Sequence, residues 1–354
     1  MTAPAKNLTA GARTSELTVS AGLAGGLLRL AVEKGADEAA LAARAGIDLK
    51  LLADVDNRIP FAKYIALMRA GQELAHDPAL ALHYGETNDM ARISVVGLIA
   101  YACKTMAEVM AQMNRYGRLV IEVDGPADRF GLVPKKDGLW AVDRRANPSE
   151  FPELTESTFA RMICGPRRFG VKQIALEVHV THKAPAYAAE YERIYGVPVK
   201  FEAEWNAARI DTAWLSHPIG VEPRYAFGIF AERADALLKS LEGSKTMKGR
   251  VEASLMPILH AGTADIDTVA ATLGMSRSTL FNRLKDEGTT FSKVLDELRH
   301  RMAIDYLGAK KVSVNETAYL VGFSEPAAFS RAFKRWTGKS PRALRKARQS
   351  TGAT

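Results

Sequence analysis

Two short segments near the C-terminus, Leu273-Gly274-Met275-Ser276 and Val321-Gly322-Phe323-Ser324, decide the fold of the last third of the chain. Both glycine turns are followed by two apolar residues four positions apart, which suit the inner face of a helix: Leu280 and Leu284, then Phe329 and Phe333. The glycines are 48 residues apart, and the positions after the turns repeat at a spacing of 49. Two helices joined by a tight turn form a helix-turn-helix, whose second helix enters the major groove of DNA. The sequence therefore predicts two such units in one chain.

Positive charge is concentrated in the same part of the chain. The 354 residues carry 48 Lys+Arg and 40 Asp+Glu, a net charge of +8. Residues 245–354 hold 19 basic and 10 acidic side chains, a net of +9, whereas residues 1–244 have a net of −1. A confined cationic surface is typical of a module that binds phosphates. The charge distribution therefore favours double-stranded DNA as the partner of the C-terminal region.

The composition is that of an ordinary globular protein, with 47% hydrophobic and 25% charged residues, and the length predicts two or three domains. Residues 1–20 lack the apolar centre of a signal peptide, and we interpret them as a disordered tail. No stretch approaches the roughly 18 apolar residues of a membrane span. Cys103 and Cys164 are expected to be buried free thiols. We expect a cytoplasmic protein with no membrane partner.

Residues 21–235 are predicted to form an α+β domain with a small sheet, because helical periodicity up to residue 116 is followed by strand-like segments. Residues 119–123 and 130–133 are predicted to form a hairpin around Gly125-Pro126. Asp137-Gly138 is a second turn signal. The later predicted elements are a strand at 139–142, a helix at 150–169, and strands at 174–180, 197–201 and 208–211.

The N-terminal domain offers no catalytic constellation, so we expect neither an enzyme nor a cofactor. His179 and His182 have HxxH spacing, but a strand sends these two positions to opposite faces, which disfavours a metal site. Arg144-Arg145 and Arg167-Arg168 are interpreted as solvated pairs, with anion binding as the alternative. Four aromatic residues are candidates for the wall of an effector cavity, with core packing as the alternative for each: Tyr64, Tyr101, Tyr116 and Trp140.

An all-α DNA-binding domain is predicted over residues 251–350, after a linker at 236–250. Ser276 is expected to cap a first recognition helix that runs through Asp286. A long helix from Phe291 to Leu307, roughly 25 Å in length, joins it to a second recognition helix that begins at Ser324. Pro326 stands in the first turn of this helix, where its missing N–H does no harm. This arrangement suits two adjacent major grooves on one face of DNA.

Side chains of the recognition helices that the core does not need are candidate DNA contacts. Asn282 suits adenine, Arg331 suits guanine or a phosphate, and Phe281 either contacts a thymine methyl group or packs in the core. The predicted DNA contacts are Arg277, Ser278, Phe281, Asn282, Lys285, Pro326, Ala327, Ser330, Arg331, Lys334 and Arg335. Basic residues from the end of the second recognition helix onward are interpreted as phosphate contacts or as a basic tail: Arg335, Lys339, Arg342, Arg345, Lys346 and Arg348.

The second unit resembles the signature of AraC/XylS-type transcription regulators. The matching residues are Gly322-Phe323-Ser324, Phe329 to Arg335 and Gly338-Lys339-Ser340-Pro341, and the resemblance spans about residues 245–350. The preceding domain, through segments such as Ile59-Pro60-Phe61, resembles more loosely the arabinose-binding-type domain of the same family. The resemblance implies effector sensing or dimerisation by that domain. Phe281 departs from the pattern, because relatives often have a polar residue at this position.

These observations lead to three hypotheses. The first is an effector-responsive transcription regulator, an activator of nearby genes, that acts as a homodimer with an unknown small-molecule effector and RNA polymerase as further partners. The second makes the N-terminal domain a protein-interaction or dimerisation module without a ligand. The third makes it an enzyme with a reactive cysteine, which is disfavoured because such a thiol needs activating neighbours and only Cys103 has a lysine beside it.

Overall fold

The computed structural model describes residues 17–126, 128–171, 173–218, 224–261, 264–308 and 312–345. The chain divides into two compact units, Met1–Leu238 and Lys239–Thr354. Lys346 and Arg348, two of the predicted phosphate contacts, lie outside the described residues, as do residues 1–16 of the predicted tail. Within the described ranges, no helix has the length and apolar character needed to cross a membrane.

The first unit begins with a short strand pair, β1 (Thr18–Ser20) and β2 (Arg58–Pro60), which run antiparallel. This corrects the predicted tail, which included residues 18–20. Val19 is fully buried opposite Ile59, so these residues belong to the folded domain. The helices of this part of the chain are α1 (Ala21–Glu33), α2 (Glu38–Ala45), α3 (Phe61–Leu74), α4 (Leu80–Thr87), α5 (Val95–Tyr101), α6 (Met106–Val120), α7 (Pro152–Cys164), α8 (Ala188–Tyr195) and α9 (Arg224–Ser244).

A five-stranded sheet completes the first unit, with the strand order β3-β4-β7-β5-β6. Its strands are β3 (Phe130–Lys135), β4 (Gly138–Asp143), β5 (Ala175–His179), β6 (Val199–Lys200) and β7 (Asn206–Ile210). Neighbouring strands are antiparallel, except that β5 and β6 are parallel. The turn between β3 and β4 coincides with the predicted Asp137-Gly138 signal, and Gly138 has a φ of +137°. The α+β prediction with a small sheet is confirmed.

The hairpin predicted around Gly125-Pro126 is wrong. Leu119 and Val120 end α6, and Ile121 forms only an isolated bridge to Val19. The apolar run suggested a strand, yet Tyr116, Leu119 and Val120 are all buried on one face of the helix. Their i, i+3, i+4 spacing is helical, and the helix therefore continues to its end at Val120.

The second unit consists of short helices around two small cores. Its helices after α9 are α10 (Met247–Leu255), α11 (Ile266–Thr272), α12 (Arg277–Asp286), α13 (Phe291–Gly308), α14 (Val314–Leu320) and α15 (Pro326–Thr337). α13 supplies Val294 and Leu298 to the first core and Ala303 and Leu307 to the second. The predicted architecture, two helix-turn-helix units joined by a long helix, is confirmed.

The residues between the predicted domains are largely helical. Most of the predicted linker, residues 236–250, lies in α9 and α10. The compact units divide between Leu238 and Lys239. The predicted domain limits at residues 235 and 251 stay predictions.

Candidate nucleic-acid interface

Local capping positions the helices of both helix-turn-helix units. Asp265 caps α11 by accepting hydrogen bonds from the backbone N–H groups of Asp267 and Thr268, both at 2.9 Å. Ser276 caps α12 as predicted, whereas Ser313 and Glu316 form a reciprocal capping box on α14. These backbone hydrogen bonds hold the pKa values of the Asp265 and Glu316 carboxyl groups below their usual range. In each helix-turn-helix unit, residues close to the turn in sequence therefore fix where a helix begins.

The two turns contain glycines in the left-handed region, with φ of +66° at Gly274 and +78° at Gly322. Only glycine adopts this conformation without strain. α15 begins at Pro326 and not at the predicted Ser324, and its N-cap is Glu325. The proline occupies the first helical position, where a backbone N–H would have no partner in the helix.

Five predicted contacts on each of α12 and α15 form two equivalent faces. Each helical residue turns the helix by about 100°. Positions 277, 278, 281, 282 and 285 consequently span an arc of roughly 140° on α12, and positions 326, 327, 330, 331 and 334 span the same arc on α15. Leu280 and Leu284, then Phe329 and Phe333, are buried and lie outside these arcs. The predicted contacts on each helix, apart from Arg335, are thus brought together on one face, and the two faces correspond residue by residue at a spacing of 49.

The five predicted contacts of α12 are all exposed. Phe281 is 53% exposed, which rejects core packing as its role. An exposed aromatic ring on this face can meet the methyl group of thymine. Arg277 pairs with Asp267 at 2.9 Å, and both side chains are exposed, so a phosphate or base can compete for this guanidinium.

On α15, Ala327, Arg331 and Lys334 are exposed, whereas Pro326 and Ser330 are half-buried. Arg331 forms no ion pair with any of the described residues, which leaves its guanidinium available. Arg335 lies just outside the arc and pairs with Asp296 of α13 at 2.9 Å. The geometry favours a base or phosphate contact for Arg331 and a peripheral role for Arg335.

Arg299 of α13 supports the second unit, a role that the sequence analysis missed. Its Nε donates to the carbonyl of Val321 at 3.1 Å and its Nη2 donates to that of Gly322 at 3.0 Å. The guanidinium also lies 4.7 Å from the ring centroid of Phe323. It therefore holds the turn before α15 from the side of the long helix. The sequence has two arginines, Arg299 and Arg301, between the apolar positions Leu298 and Met302, and nothing in their pattern distinguishes Arg299.

The four aromatic candidates for an effector cavity lie in different surroundings. Tyr64 packs against Phe61 and Phe151, whereas the Trp140 ring lies 4.6 Å from that of His179. The remaining polar contacts also differ: Tyr101 donates to Asp89, Tyr116 to Asp235 and the Trp140 indole to Asp137. Tyr64, Tyr116 and Trp140 are fully or almost fully buried. Their described contacts support core packing and do not join the four residues in one wall.

Both cysteines are buried free thiols, as predicted. Burial raises the pKa of Cys103 to about 12 and also raises that of Cys164. A thiol with a raised pKa is mostly protonated at neutral pH and is a poor nucleophile. The environment of the two cysteines therefore gives no support to cysteine chemistry.

One of the arginine pairs was misinterpreted. Arg145 is buried and donates to the carbonyls of Pro148 and Phe151 and to the Thr155 hydroxyl, at 2.6 to 3.0 Å. It also pairs with the buried Asp143 at 3.6 Å. This arginine ties the end of β4 to α7 and is not a solvated surface residue. A sequence does not show which of two adjacent arginines points inward, because that depends on the elements that cover it.

The HxxH histidines take separate partners. His179 bonds to Glu177 at 2.8 Å, within β5. His182 lies beyond the strand, where its two ring nitrogens contact the carbonyl of Lys183 and the hydroxyl of Tyr191. The two histidines have none of these partners in common.

Comparison with known proteins gives matches for both units. Residues 35–219 match the family described as the arabinose-binding domain of AraC transcription regulator, N-term, and residues 269–347 match a helix-turn-helix domain. The chain is 28% identical to the ornithine utilization regulator of Pseudomonas aeruginosa, over 94% of this chain and 98% of that protein. It is 24% identical to the HTH-type transcriptional regulator VirS of Mycobacterium tuberculosis, over 88% and 92% of the two chains.

A solved structure, that of the transcriptional regulator CdpR from Pseudomonas aeruginosa, is 20% identical, covers 76% of this chain and 87% of that chain, and has a TM-score of 0.35. The matched domains and the named relatives are those of transcription regulators and not of enzymes. The enzymatic hypothesis is therefore set aside.

Proposed function

The chain belongs to the family of AraC transcription regulators, and from this premise we propose that it is an effector-responsive activator that uses the outer faces of α12 and α15 to bind DNA. DNA binding and transcription regulation follow from the helix-turn-helix domain and the relatives that share it. The use of these particular side chains, the response to an effector and the activation of transcription are the proposed parts.

The observation that carries the proposed interface is the equivalence of the two exposed faces. Each helix buries one side in its own core and presents the same positions, 49 residues apart, on the other side. A repeated outer face is expected where one chain contacts two successive major grooves. The net charge of +9 over residues 245–354 supplies the attraction to phosphates.

The test of the interface is the substitution Arg331→Ala in the full chain. We expect specific binding to weaken by about 1–3 kcal/mol, with relaxed preference at one base pair, because a bidentate arginine–guanine contact is lost. The measurement is fluorescence anisotropy on a site selected from random oligonucleotides, together with the same site altered at each base pair. Arg283→Ala is the matched control, since Arg283 is an exposed arginine of α12 outside the arc.

Equal losses for the two variants would contradict the proposed interface. So would an Arg331→Ala protein that retains wild-type affinity and wild-type base preference.

The effector is proposed to bind in the first unit and to shift the population of states that engage paired sites. The family description of residues 35–219 as an arabinose-binding domain supports a small-molecule site. Ornithine is the first compound to test, because a relative is named as the ornithine utilization regulator. We expect an effector to change the affinity of the full chain for its selected site. A panel of metabolites without any such change would favour a protein-interaction role for this unit.

A homodimer and RNA polymerase are the further proposed partners. Analytical ultracentrifugation of the full chain, with and without its selected DNA site, tests the dimer. Transcription in vitro from a promoter that carries the site tests the contact with polymerase, and we expect more transcript when the protein is added. A fall in transcript would instead assign repression.

A further inference from the structure

α7 buries several consecutive polar side chains. Thr155, Glu156, Ser157 and Thr158 are all buried, and Arg161 follows one turn later on the same helix. The hydroxyl groups of Thr155, Ser157 and Thr158 each have a hydrogen-bond partner. A buried polar group costs free energy unless it is hydrogen-bonded. A side chain in this set that lacks such partners is therefore informative.

Arg161 is such a side chain, and Glu156 also has one unpartnered oxygen, Oε2, although its Oε1 accepts from Tyr187 and Tyr191. The Nε and Nη2 atoms of Arg161 are buried and have no hydrogen-bond partner among the described residues. The guanidinium lies 5.9 Å from the ring centroid of Tyr84. The titratable groups that face it are the phenols of Tyr84 and Tyr64 and the guanidinium of Arg129, and the set contains no carboxylate. Burial lowers the pKa of Arg161, as expected for a cation that the protein leaves unpaired.

The carboxylate near Arg129 does not compensate the charge of Arg161. Arg129 donates to both carboxylate oxygens of Asp143, at 3.0 and 2.7 Å, and Arg145 pairs with the same carboxylate at 3.6 Å, so Asp143 has no negative charge left to offset that of Arg161. The hydroxyl of Tyr64 is buried and has no partner among the described residues, which gives a further unused donor on the same side of the domain. The first unit thus contains unused N–H donors on Arg161 and an unused O–H donor on Tyr64, and the charge of Arg161 is close enough to influence the pKa of Tyr64.

We propose that Arg161, together with the Tyr64 hydroxyl, binds the carboxylate group of a small ligand, and that this ligand is the effector of the function proposed above. The inference rests on that function for the ligand's role as effector. Nε and Nη2 form one edge of the guanidinium, whose two parallel N–H groups match the two oxygens of a carboxylate. A single unpaired cation balances a single negative charge, which favours a carboxylate over a phosphate dianion.

Access to the site requires movement of side chains. Nε and Nη2 are closed off from solvent, although part of the Arg161 residue surface stays accessible. The unpartnered donors destabilise this closed arrangement, because their desolvation is not offset by hydrogen bonds. A carboxylate that enters satisfies them and stabilises a rearranged state. The ligand would then bind the rearranged state more tightly than the closed one, and this difference in affinity is what shifts a conformational equilibrium.

The first experiment measures binding of simple carboxylates to the full chain. Formate, acetate and benzoate are titrated by calorimetry and by thermal unfolding, against chloride at equal ionic strength. Acetamide and benzamide are the neutral comparators, and inorganic phosphate and phenylphosphonate are the dianionic ones. We expect one or more carboxylates to raise the Tm of the wild type, with no comparable shift from the amides or phosphates.

The variants separate this site from general salt effects. Arg161→Met should weaken carboxylate binding at least about tenfold, because it removes a charge-assisted pair of hydrogen bonds. Tyr64→Phe should weaken carboxylate binding about two- to tenfold. Arg161→Lys keeps the positive charge but lacks the two parallel N–H groups of the guanidinium, so it should also bind carboxylates more weakly than the wild type. Arg44→Met is the control, because Arg44 is an exposed arginine of α2 paired with Glu73. In chloride, Arg161→Met should be at least as stable as the wild type, since it removes an unpaired buried charge.

Three outcomes overturn the inference. In the first, no carboxylate raises the Tm of the wild type more than that of Arg161→Met, and in the second, phosphates bind as well as carboxylates. In the third, Arg161→Met unfolds at a lower Tm than the wild type in chloride, which assigns a structural role to Arg161. Parallel DNA-binding measurements distinguish this failure from failure of the proposed function. If carboxylates bind without changing the affinity for DNA, the carboxylate site at Arg161 is supported and the role of its ligand as the effector is rejected. If another compound changes the DNA affinity of the wild type and of Arg161→Met equally, control by an effector is supported and the site at Arg161 is rejected.

Discussion

Glu156 of α7 is a carboxyl group in an almost fully buried position. Tyr187 donates to its Oε1 at 2.9 Å, and Tyr191 donates to the same atom. Burial raises its pKa to about 7, although the two phenol hydrogen bonds favour the charged form. The protonation state of this residue therefore changes close to neutral pH, inside the domain proposed to bind the effector.

The titration of Glu156 predicts how stability depends on pH. The ordinary pKa of glutamate is 4.5, so between pH 4.5 and about 7 the folded protein holds a proton that the unfolded chain has lost. The free energy of unfolding should consequently fall as pH rises through this window. Glu156→Gln should remove that contribution, because a glutamine does not titrate and still accepts from both tyrosines.

The measurement is urea unfolding of the wild type and of Glu156→Gln at pH 5 and pH 8. We expect the variant to gain stability relative to the wild type at the higher pH. An unchanged difference between the two proteins at both pH values would show that Glu156 does not titrate in this window. Glu108→Gln is a control, because Glu108 is a carboxylate near the surface of α6.

Among the helix-turn-helix elements, the two glycine turns look alike in sequence and differ in their surroundings. A Cβ atom on Gly274 would meet nothing within 4 Å, whereas one on Gly322 would lie 2.3 Å from the carbonyl oxygen of Leu259. Both have a positive φ, so both resist substitution by the backbone alone. The second turn is in addition packed against the short helix at Leu259–Ala261 and held by Arg299.

Matched alanine substitutions measure this difference. Gly274→Ala should cost about 1–2 kcal/mol of stability from the left-handed backbone. Gly322→Ala should cost at least about 1 kcal/mol more, because the carbonyl of Leu259 must move as well. Amide hydrogen exchange of α11–α12 and of α14–α15 in the full chain provides the two local free energies. Equal losses of local stability in the two units would mean that the backbone at Leu259 moves away from the added methyl group at no cost in free energy.

Helix ends and turns were the most predictable elements. Ser276 as the cap of α12, the turn at Asp137-Gly138 and the extent of α13 all follow from residues within a few positions of one another. The strand predicted at 119–123 failed because the same apolar run satisfies a helical face. Which of the two forms depends on the surfaces that cover the run, and these come from distant parts of the chain.

For the protein as a whole, charge segregation predicts the salt dependence of DNA binding. The logarithm of the binding constant should fall linearly with the logarithm of salt concentration, with a slope of about −0.9 for each phosphate contact. Arg342 is exposed after α15, and it is one of the predicted phosphate contacts. Arg342→Ala should reduce the magnitude of the slope by about 1.

The slope is measured by anisotropy titrations on the selected site and on unrelated DNA of the same length. A phosphate contact should reduce both affinities alike. Arg44→Ala in the first unit is the control and should leave the slope unchanged. A loss confined to the selected site would reassign Arg342 to base recognition.

The amino-acid order alone was enough for the duplicated helix-turn-helix, its capped helix starts, its glycine turns and the cationic C-terminal third, because each depends on neighbouring residues or on simple summation of charge. Three features needed the folded chain: the exposure of Phe281, the burial of Arg145 against Asp143 and Thr155, and the unpartnered guanidinium of Arg161. Each depends on residues far apart in the chain. Burial and pairing are properties of packed surfaces, and periodicity specifies which face of a helix is apolar without specifying what comes to lie against it.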